Sequence, residues 1–159
     1  YGKYKMKKIR YFVILGILLA DALLKLFIRR TMYCGQTIPV IDGIFSITYV
    51  QNRGAAFSLF AGRGPMIMAF TFIALCLAVW YMERHKDDHW TLLLALELII
   101  SGGMGNLIDR AALGFVTDMF DMHFWPVFNI ADIAICVGCG FLVLYMFVFD
   151  KSSEAGEQR

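Results

Sequence analysis

Apolar residues in this chain gather into four long runs, at residues 11–28, 65–82, 90–108 and 127–149. Each is close to the roughly 20 residues that cross a bilayer as a helix. The pattern predicts a mainly α membrane protein with four transmembrane helices, forming a single integral-membrane domain over residues 1–159. The intervening segments 29–64 and 109–126 fall on one side of the membrane. Segment 29–64 holds two β-prone stretches, 37–42 and 44–51, with Asp42 and Gly43 as a turn between them. A small β-rich segment is therefore expected outside the membrane between helices one and two. The polar tail 151–159 reads as disordered.

Composition supports this picture: 59% of the residues are hydrophobic, against about 45–50% in a soluble domain. The formal net charge of +2 says little, but its placement says more. Lys3, Lys5, Lys7, Lys8 and Arg10 precede the first run, Arg84 and Lys86 follow the second, and Lys151 and Arg159 follow the fourth. Fewer basic residues, Arg29, Arg30, Arg53, Arg63 and Arg110, lie on the other side. The positive-inside rule then puts both termini in the cytoplasm and segments 29–64 and 109–126 outside. No basic patch of the kind that binds nucleic acid is evident. The first run carries Asp21 and Lys25 and lacks a small-residue cleavage site, so it is expected to be retained as a helix and not cleaved as a leader. Cys76, Cys136 and Cys139 read as small packing residues inside the runs, and Cys34 stands alone in the outer segment.

The charged and amide residues near the runs are the candidate chemistry. Asp118 lies in GFVTD at 114–118, and Asp132 lies in FNIAD at 128–132, about 7–8 Å inside a helix that starts near Val127. A carboxylate at such a depth is costly, and an intramembrane one is by default a functional candidate. Asp132 alone could be a first-turn acid favoured by the helix dipole, and Asp118 alone a surface carboxylate. If they converge, they offer acid/base chemistry at a membrane surface. Asp21 and Lys25 are spaced i, i+4 and can pair, either as a plain ion pair or as a polar floor under a site. Asn106, Asp109 and Arg110 close the third run and share one side of it, with Asp109 placed to orient Arg110. Asn129 shares a face with Asp132. Asn52 and Gly54 belong to NRGAAFS at 52–58, where small residues allow close backbone approach. Glu97 lies near the middle of the third run and receives no role. Asp118, Asp121 and His123 form a D-x-x-D-x-H string, but with no fourth ligand in view no metal site is expected.

These strings together resemble the lipoprotein signal peptidases, or type II signal peptidases, a family of bacterial membrane enzymes. The resemblance rests on Asp21 with Lys25, NRGAAFS at 52–58, GNLIDR at 105–110, GFVTD at 114–118 and FNIAD at 128–132, in the family's order and across all four runs. Thr117 stands where the family often has valine, Met119 where it often has phenylalanine, and the loop between the two aspartates is short. The resemblance implies an aspartyl endopeptidase with Asp118 and Asp132 as the catalytic pair and no cofactor or metal. It further implies prolipoprotein substrates whose cysteine already bears diacylglycerol, cut on the N-terminal side of that cysteine. Asn52, Gly54, Asn106, Asp109, Arg110, Asn129, Asp21 and Lys25 are then expected to bind substrate or support the site. Membrane lipids and globomycin-like inhibitors are the expected partners. The enzyme is expected to be a monomer in the bacterial cytoplasmic (inner) membrane, with its site near the extracytoplasmic face. Two rival readings of the residues are a transporter using the intramembrane charges as an ion path, and a non-catalytic adaptor that binds lipoproteins in the same pocket.

Overall fold

The computed structural model describes residues 2–54 and 64–150. Its elements run α1 (Gly2–Thr31), β1 (Thr37–Ile41), β2 (Phe45–Asn52), α2 (Gly64–Arg84), α3 (Trp90–Leu113), β3 (Val116–Asp121) and α4 (Ile130–Tyr145), with a π-helical turn at Met146–Asp150. Four of these helical segments are long and apolar enough to span a membrane, at Tyr11–Thr31, Pro65–Arg84, Trp90–Leu113 and Ile130–Val148. Residues 55–58 of the NRGAAFS string and the tail 151–159 lie outside the described residues.

The helix α3 is the centre of the bundle. Two thirds of its most apolar stretch is buried (67%), against 11–17% for the other three spans. Three glycines near its outer end explain how it serves three neighbours at once. Successive helical residues point about 100° apart, so Gly102, Gly103 and Gly105 face different directions. A methyl group on Gly102 would collide with the Ala131 carbonyl oxygen of α4, on Gly103 with the Leu75 side chain of α2, and on Gly105 with the Asp21 carboxylate of α1. Small residues take the place of a hydrophobic driving force in lipid, where close backbone approach supplies the attraction. On α4, Gly138 returns the contact, sitting against the Ala95 carbonyl and Ile99 of α3. Toward the other end, Met82, Leu92, Leu93, Leu96 and Ile100 form an apolar core between α2 and α3.

Outside the bundle, β1, β2 and β3 form an antiparallel sheet in that order. Ile28 of α1 and Met32 just after it pack with Tyr49 of β2 and Met119 of β3, which fixes the sheet over the end of α1. The register pairs Val50 with Asp118 and Asn52 with Val116. Because side chains alternate along a strand, that register puts Asn52 and Asp118 on one face.

Several boundaries differ from the pattern-based expectation, each for a local reason. The third helix runs five residues past Ile108, to Leu113, so Asp109 and Arg110 are helical and not in the outer loop. It ends where Gly114, at φ 78°, adopts the left-handed conformation and its N–H returns to the Arg110 carbonyl. The fourth helix begins at Ile130 and not at Val127, because Asn129 caps it. Asp132 consequently lies in the first turn, shallower than the sequence implied. Segment 116–121, expected as loop, is the third strand. Cys76, Cys136 and Cys139 are exposed on outward helix faces and do not pack inside the bundle.

Candidate active site

Asp118 and Asp132 reach the same place from different elements. Asp118 is delivered by the middle of β3 and is 1% exposed. Asp132 is the third residue of α4, and its position is set by a capping box. The Asn129 side-chain oxygen accepts from the Asp132 N–H at 2.9 Å, and the Asp132 carboxylate accepts from the Asn129 N–H at 3.2 Å. The start of α4 and the position of Asp132 are thus one structural decision.

Three asparagines then bind the two carboxylates, and each is held in one amide orientation by a second donor. The Asn129 oxygen is occupied by the helix cap, so its Nδ2 faces Asp118 Oδ1 at 2.7 Å. The Asn52 oxygen accepts from the Gly54 N–H at 3.1 Å, which turns its Nδ2 to Asp118 Oδ2 at 3.0 Å. The Asn106 oxygen accepts from Lys25 Nζ at 3.0 Å and from Asn129 Nδ2 at 3.1 Å, leaving its own Nδ2 to donate to Asp132 Oδ1 at 2.8 Å. An amide has one oxygen and two donor hydrogens, so fixing where the oxygen points fixes where the donors point. Through Asn106 and Asn129 the two carboxylates are linked by two side chains.

Beneath this layer lies an ion network. Lys25 Nζ is 2.7 Å from Asp21 and 3.4 Å from Asp109. Asp21 also accepts from the Ala131 N–H at 3.0 Å, which ties α1 to the first turn of α4. Asp109 accepts from the Thr117 N–H at 3.0 Å and pairs with Arg29 at 3.4 Å. Arg29 also donates to the Thr117 hydroxyl at 3.0 Å. Both residues flanking the Thr117–Asp118 peptide are thereby pinned, Thr117 from α1 and α3, Asp118 from the asparagines.

The environment of Asp118 sets its protonation. Burial away from water pushes its carboxyl up to about 7, and the neighbouring negative charge of Asp132 adds to the rise. Hydrogen bonds from Asn52 and Asn129 and the charge of Lys25 pull the other way and do not cancel it. Asp121, half-buried at the end of β3, is held below the usual carboxylate range by the His123 N–H and the Thr48 hydroxyl.

Of the residues singled out from the sequence, Asp21, Lys25, Asn52, Gly54, Asn106, Asp109, Asn129, Asp118 and Asp132 all join this assembly. Asp109 binds Lys25, Arg29 and the Thr117 backbone, and its charge also acts on Arg110. Arg110 is half-buried and lies in the electrostatic field of Asp132, Asp118 and Asp109. The amides of Asn52, Asn106 and Asn129 are turned to the carboxylates and orient them. Arg29 and Thr117 are additions. Their signal was present: Asp21, Lys25 and Arg29 recur every four residues along one stripe of α1. The Asp118, Asp121 and His123 string does not converge. Positions three apart on a strand face opposite ways, and Asp121 turns to Thr48 and His123 while Asp118 turns to the asparagines. Among the described residues no group of three or more His, Cys, Asp or Glu is placed to hold a metal ion.

Comparison with known proteins fits this geometry. The family described as signal peptidase (SPase) II matches residues 13–148. A lipoprotein signal peptidase of Geobacter sulfurreducens is 47% identical over 141 residues, covering 84% of this chain and 88% of that protein. One from Clostridioides difficile is 40% identical over 147 residues, covering 91% and 99%. Among solved structures, a bacterial membrane enzyme determined by the in meso method at 2.3 Å superposes with a TM-score of 0.84 at 26% identity, covering 88% of each chain. A second, at 1.9 Å, gives 0.82 at 26% identity, covering 89% and 94%.

Proposed function

The chain belongs to the signal peptidase II family and is an aspartic peptidase that removes signal peptides from prolipoproteins; we propose that Asp118 and Asp132 are its catalytic pair and that it cuts N-terminal to a cysteine already carrying diacylglycerol. The observation that carries this reading is the pair of amides, Asn106 and Asn129, that join two carboxylates from β3 and α4. Such a linkage is an expensive way to make a helix cap and an economical way to aim two acids at one water.

Peptide hydrolysis needs an activated water and a proton for the departing amine. In this reading the pair shares one proton, held at Asp118, whose carboxyl is pushed up to about 7. Asp132 takes a proton from water, and the water oxygen attacks the scissile carbonyl carbon. Asp118 donates its proton to the carbonyl oxygen as that oxygen becomes tetrahedral. Collapse of the intermediate breaks the C–N bond, and the proton gained by Asp132 passes to the leaving nitrogen. The hydroxyl proton returns to the pair as the carbonyl reforms. The signal peptide leaves with a new carboxyl end and the lipoprotein with a free amine on its lipidated cysteine. No cofactor or metal enters this scheme.

The same reading makes the chain one integral-membrane unit of the bacterial inner membrane, monomeric, with both termini cytoplasmic and the site near the extracytoplasmic face. The basic residues clustered at the termini support that orientation. Lipids and globomycin-like inhibitors are its further partners, and nucleic acid is not one. A substrate-holding role is proposed for Arg110, which lies in the electrostatic field of the acidic pair.

The direct test is incubation of the purified protein in detergent with a prolipoprotein before and after diacylglyceryl modification, with and without EDTA, read by mass spectrometry of the new N-terminus. Cleavage only of the modified form, before the cysteine and unaffected by EDTA, is the expected result. Cleavage elsewhere, or loss with EDTA, would remove the reading.

A pH profile tests the shared proton. Activity is expected to fall as pH rises through about 7, when the pair loses its proton. The Asn52 amide favours the ionised form of Asp118. Asn52→Leu should therefore raise the Asp118 value further and move the alkaline limb to higher pH. A limb that stays or moves to lower pH contradicts the assignment. Stability follows the same sign. Folded Asp118 holds its proton above its ordinary value of 3.8, so its contribution to stability declines as pH rises from about 4 to about 7.

A further inference from the structure

Thr117 is completely buried (0% exposed) beside the catalytic strand position, and each of its polar groups has a partner. Its N–H donates to Asp109 Oδ2 at 3.0 Å, its hydroxyl accepts from Arg29 Nη1 at 3.0 Å, and its carbonyl oxygen accepts from Asn129 Nδ2 at 3.4 Å. The same Arg29 nitrogen reaches Asp109 Oδ1 at 3.4 Å, so one guanidinium of α1 clips β3 to α3. The hydrolytic scheme uses neither Arg29 nor Thr117.

Resting on the catalytic reading above, we propose that Arg29 and the Thr117 hydroxyl are positioning residues for the hydrolysis: they hold the Thr117 carbonyl back, so that both hydrogens of the Asn129 amide stay on Asp118 and Asn106.

Competition for those hydrogens is the first argument. Asn129 Nδ2 faces three acceptors, Asp118 Oδ1 at 2.7 Å, Asn106 Oδ1 at 3.1 Å and the Thr117 carbonyl at 3.4 Å, yet it carries two hydrogens. The carbonyl is the weakest claimant only while it stays the farthest away. A small roll of Thr117 toward Asn129 would draw a hydrogen from one of the other two. Leverage is the second. The Thr117 carbonyl and the Asp118 N–H share one rigid peptide plane, so the same roll carries the Asp118 backbone. Asn129 in turn accepts from the Asp132 N–H as the cap of α4. A displaced Thr117 therefore disturbs both carboxylates while touching neither side chain. Direction is the third. Successive side chains on a strand point opposite ways, so the Thr117 hydroxyl lies on the face away from the Asp118 carboxylate. Asn52 and Asn129 hold the strand from the carboxylate side, and Arg29 holds it from the other. A methyl group in place of that hydroxyl would fill the same space with no buried polar atom to satisfy. The hydroxyl thus adds direction and not packing.

The test measures kcat and KM of the full chain in detergent on a diacylglyceryl-modified prolipoprotein. Valine has the shape of threonine without the hydroxyl, and serine keeps the hydroxyl without the methyl. Thr117→Val should lower kcat about tenfold with KM within about twofold, while Thr117→Ser stays within about threefold of wild-type kcat. A packing role predicts the reverse order. Thr117→Ser slower than Thr117→Val therefore overturns the proposal, as does a Thr117→Val kcat within about twofold of wild type. Arg29→Met should lower kcat by a similar factor. The double variant Arg29→Met, Thr117→Val should then be no slower than the slower single variant, since both lose the same bond; losses that multiply to about a hundredfold overturn the proposal. Should Arg29→Met unfold, the two Thr117 variants decide alone, because both keep Arg29 on Asp109. Wild type that cuts no lipidated substrate, or folded Asp118→Asn or Asp132→Asn that cuts at near wild-type rate, would instead remove the catalytic reading.

Discussion

Asparagine at either Asp118 or Asp132 is expected to lower kcat by about three orders of magnitude or more, the loss typical of removing a positioned acid or base. The two variants should differ in stability. At Asp118 both carboxylate oxygens accept from asparagine amides, and Asp118→Asn replaces one oxygen by a donor facing a donor. The same change also removes a buried carboxyl whose ionisation is costly, so a modest net effect on folding is expected. At Asp132 the carboxylate serves the cap as well as Asn106, and Asp132→Asn keeps one of those two acceptors, at a cost of about 1 kcal/mol. Single-turnover cleavage of the lipid-modified substrate, with thermal unfolding in detergent as a fold check, separates the effects. A folded variant within about tenfold of wild-type kcat would remove that aspartate from the catalytic pair.

Lys25→Met is expected to be the most destabilising single change in the network, by about 3–5 kcal/mol. It leaves the Asp21 carboxylate buried without its cation and Asp109 with Arg29 alone, and breaking one side of a buried pair costs more than the pair contributed. It also removes one of the two donors that hold the Asn106 oxygen, leaving Asn129 alone to fix the amide orientation that aims a donor at Asp132. The double variant Asp21→Leu, Lys25→Met should recover part of the loss, since an apolar pair replaces a buried ion pair at little cost. Recovery stays incomplete because the Ala131 N–H loses its acceptor. Unfolding midpoints of the single and double variants measure both effects. A single variant as stable as wild type would show that the network contributes little.

The number and place of the helices were legible because lipid leaves a chain few options: backbone polar groups must be satisfied within the span. The errors fell at helix ends. Asp109 and Arg110 looked like a membrane boundary by polarity, yet Asp109 is buried against Lys25 and Arg29 and the helix continues beneath it. Val127 looked like a helix start because it is apolar, while the stronger signal was Asn129 three residues before Asp132, the spacing of a capping box. The strand Val116–Asp121 hid because its first four residues are all buried, so the polar alternation that marks a half-exposed strand is missing. The family's motifs pointed to residues that meet in space but not to all of their partners. Arg29 is one turn beyond Lys25, and Thr117, which departs from the family's usual valine, uses its hydroxyl to hold it.

The bond from the Ala131 N–H to Asp21 spans 110 positions of sequence, and it bears on how the enzyme is made. The first helix enters the bilayer with Asp21 and Lys25 already able to neutralise each other one turn apart. The partner that completes their geometry is carried by α4, which is synthesised after the other three spans. Until that span inserts, the nascent chain holds neither Asp132 nor the amide bridge to Asp118. If Asp118 and Asp132 are the catalytic pair, a copy translated only as far as α3 has no hydrolytic centre to turn on neighbouring membrane proteins, and activity waits on α4.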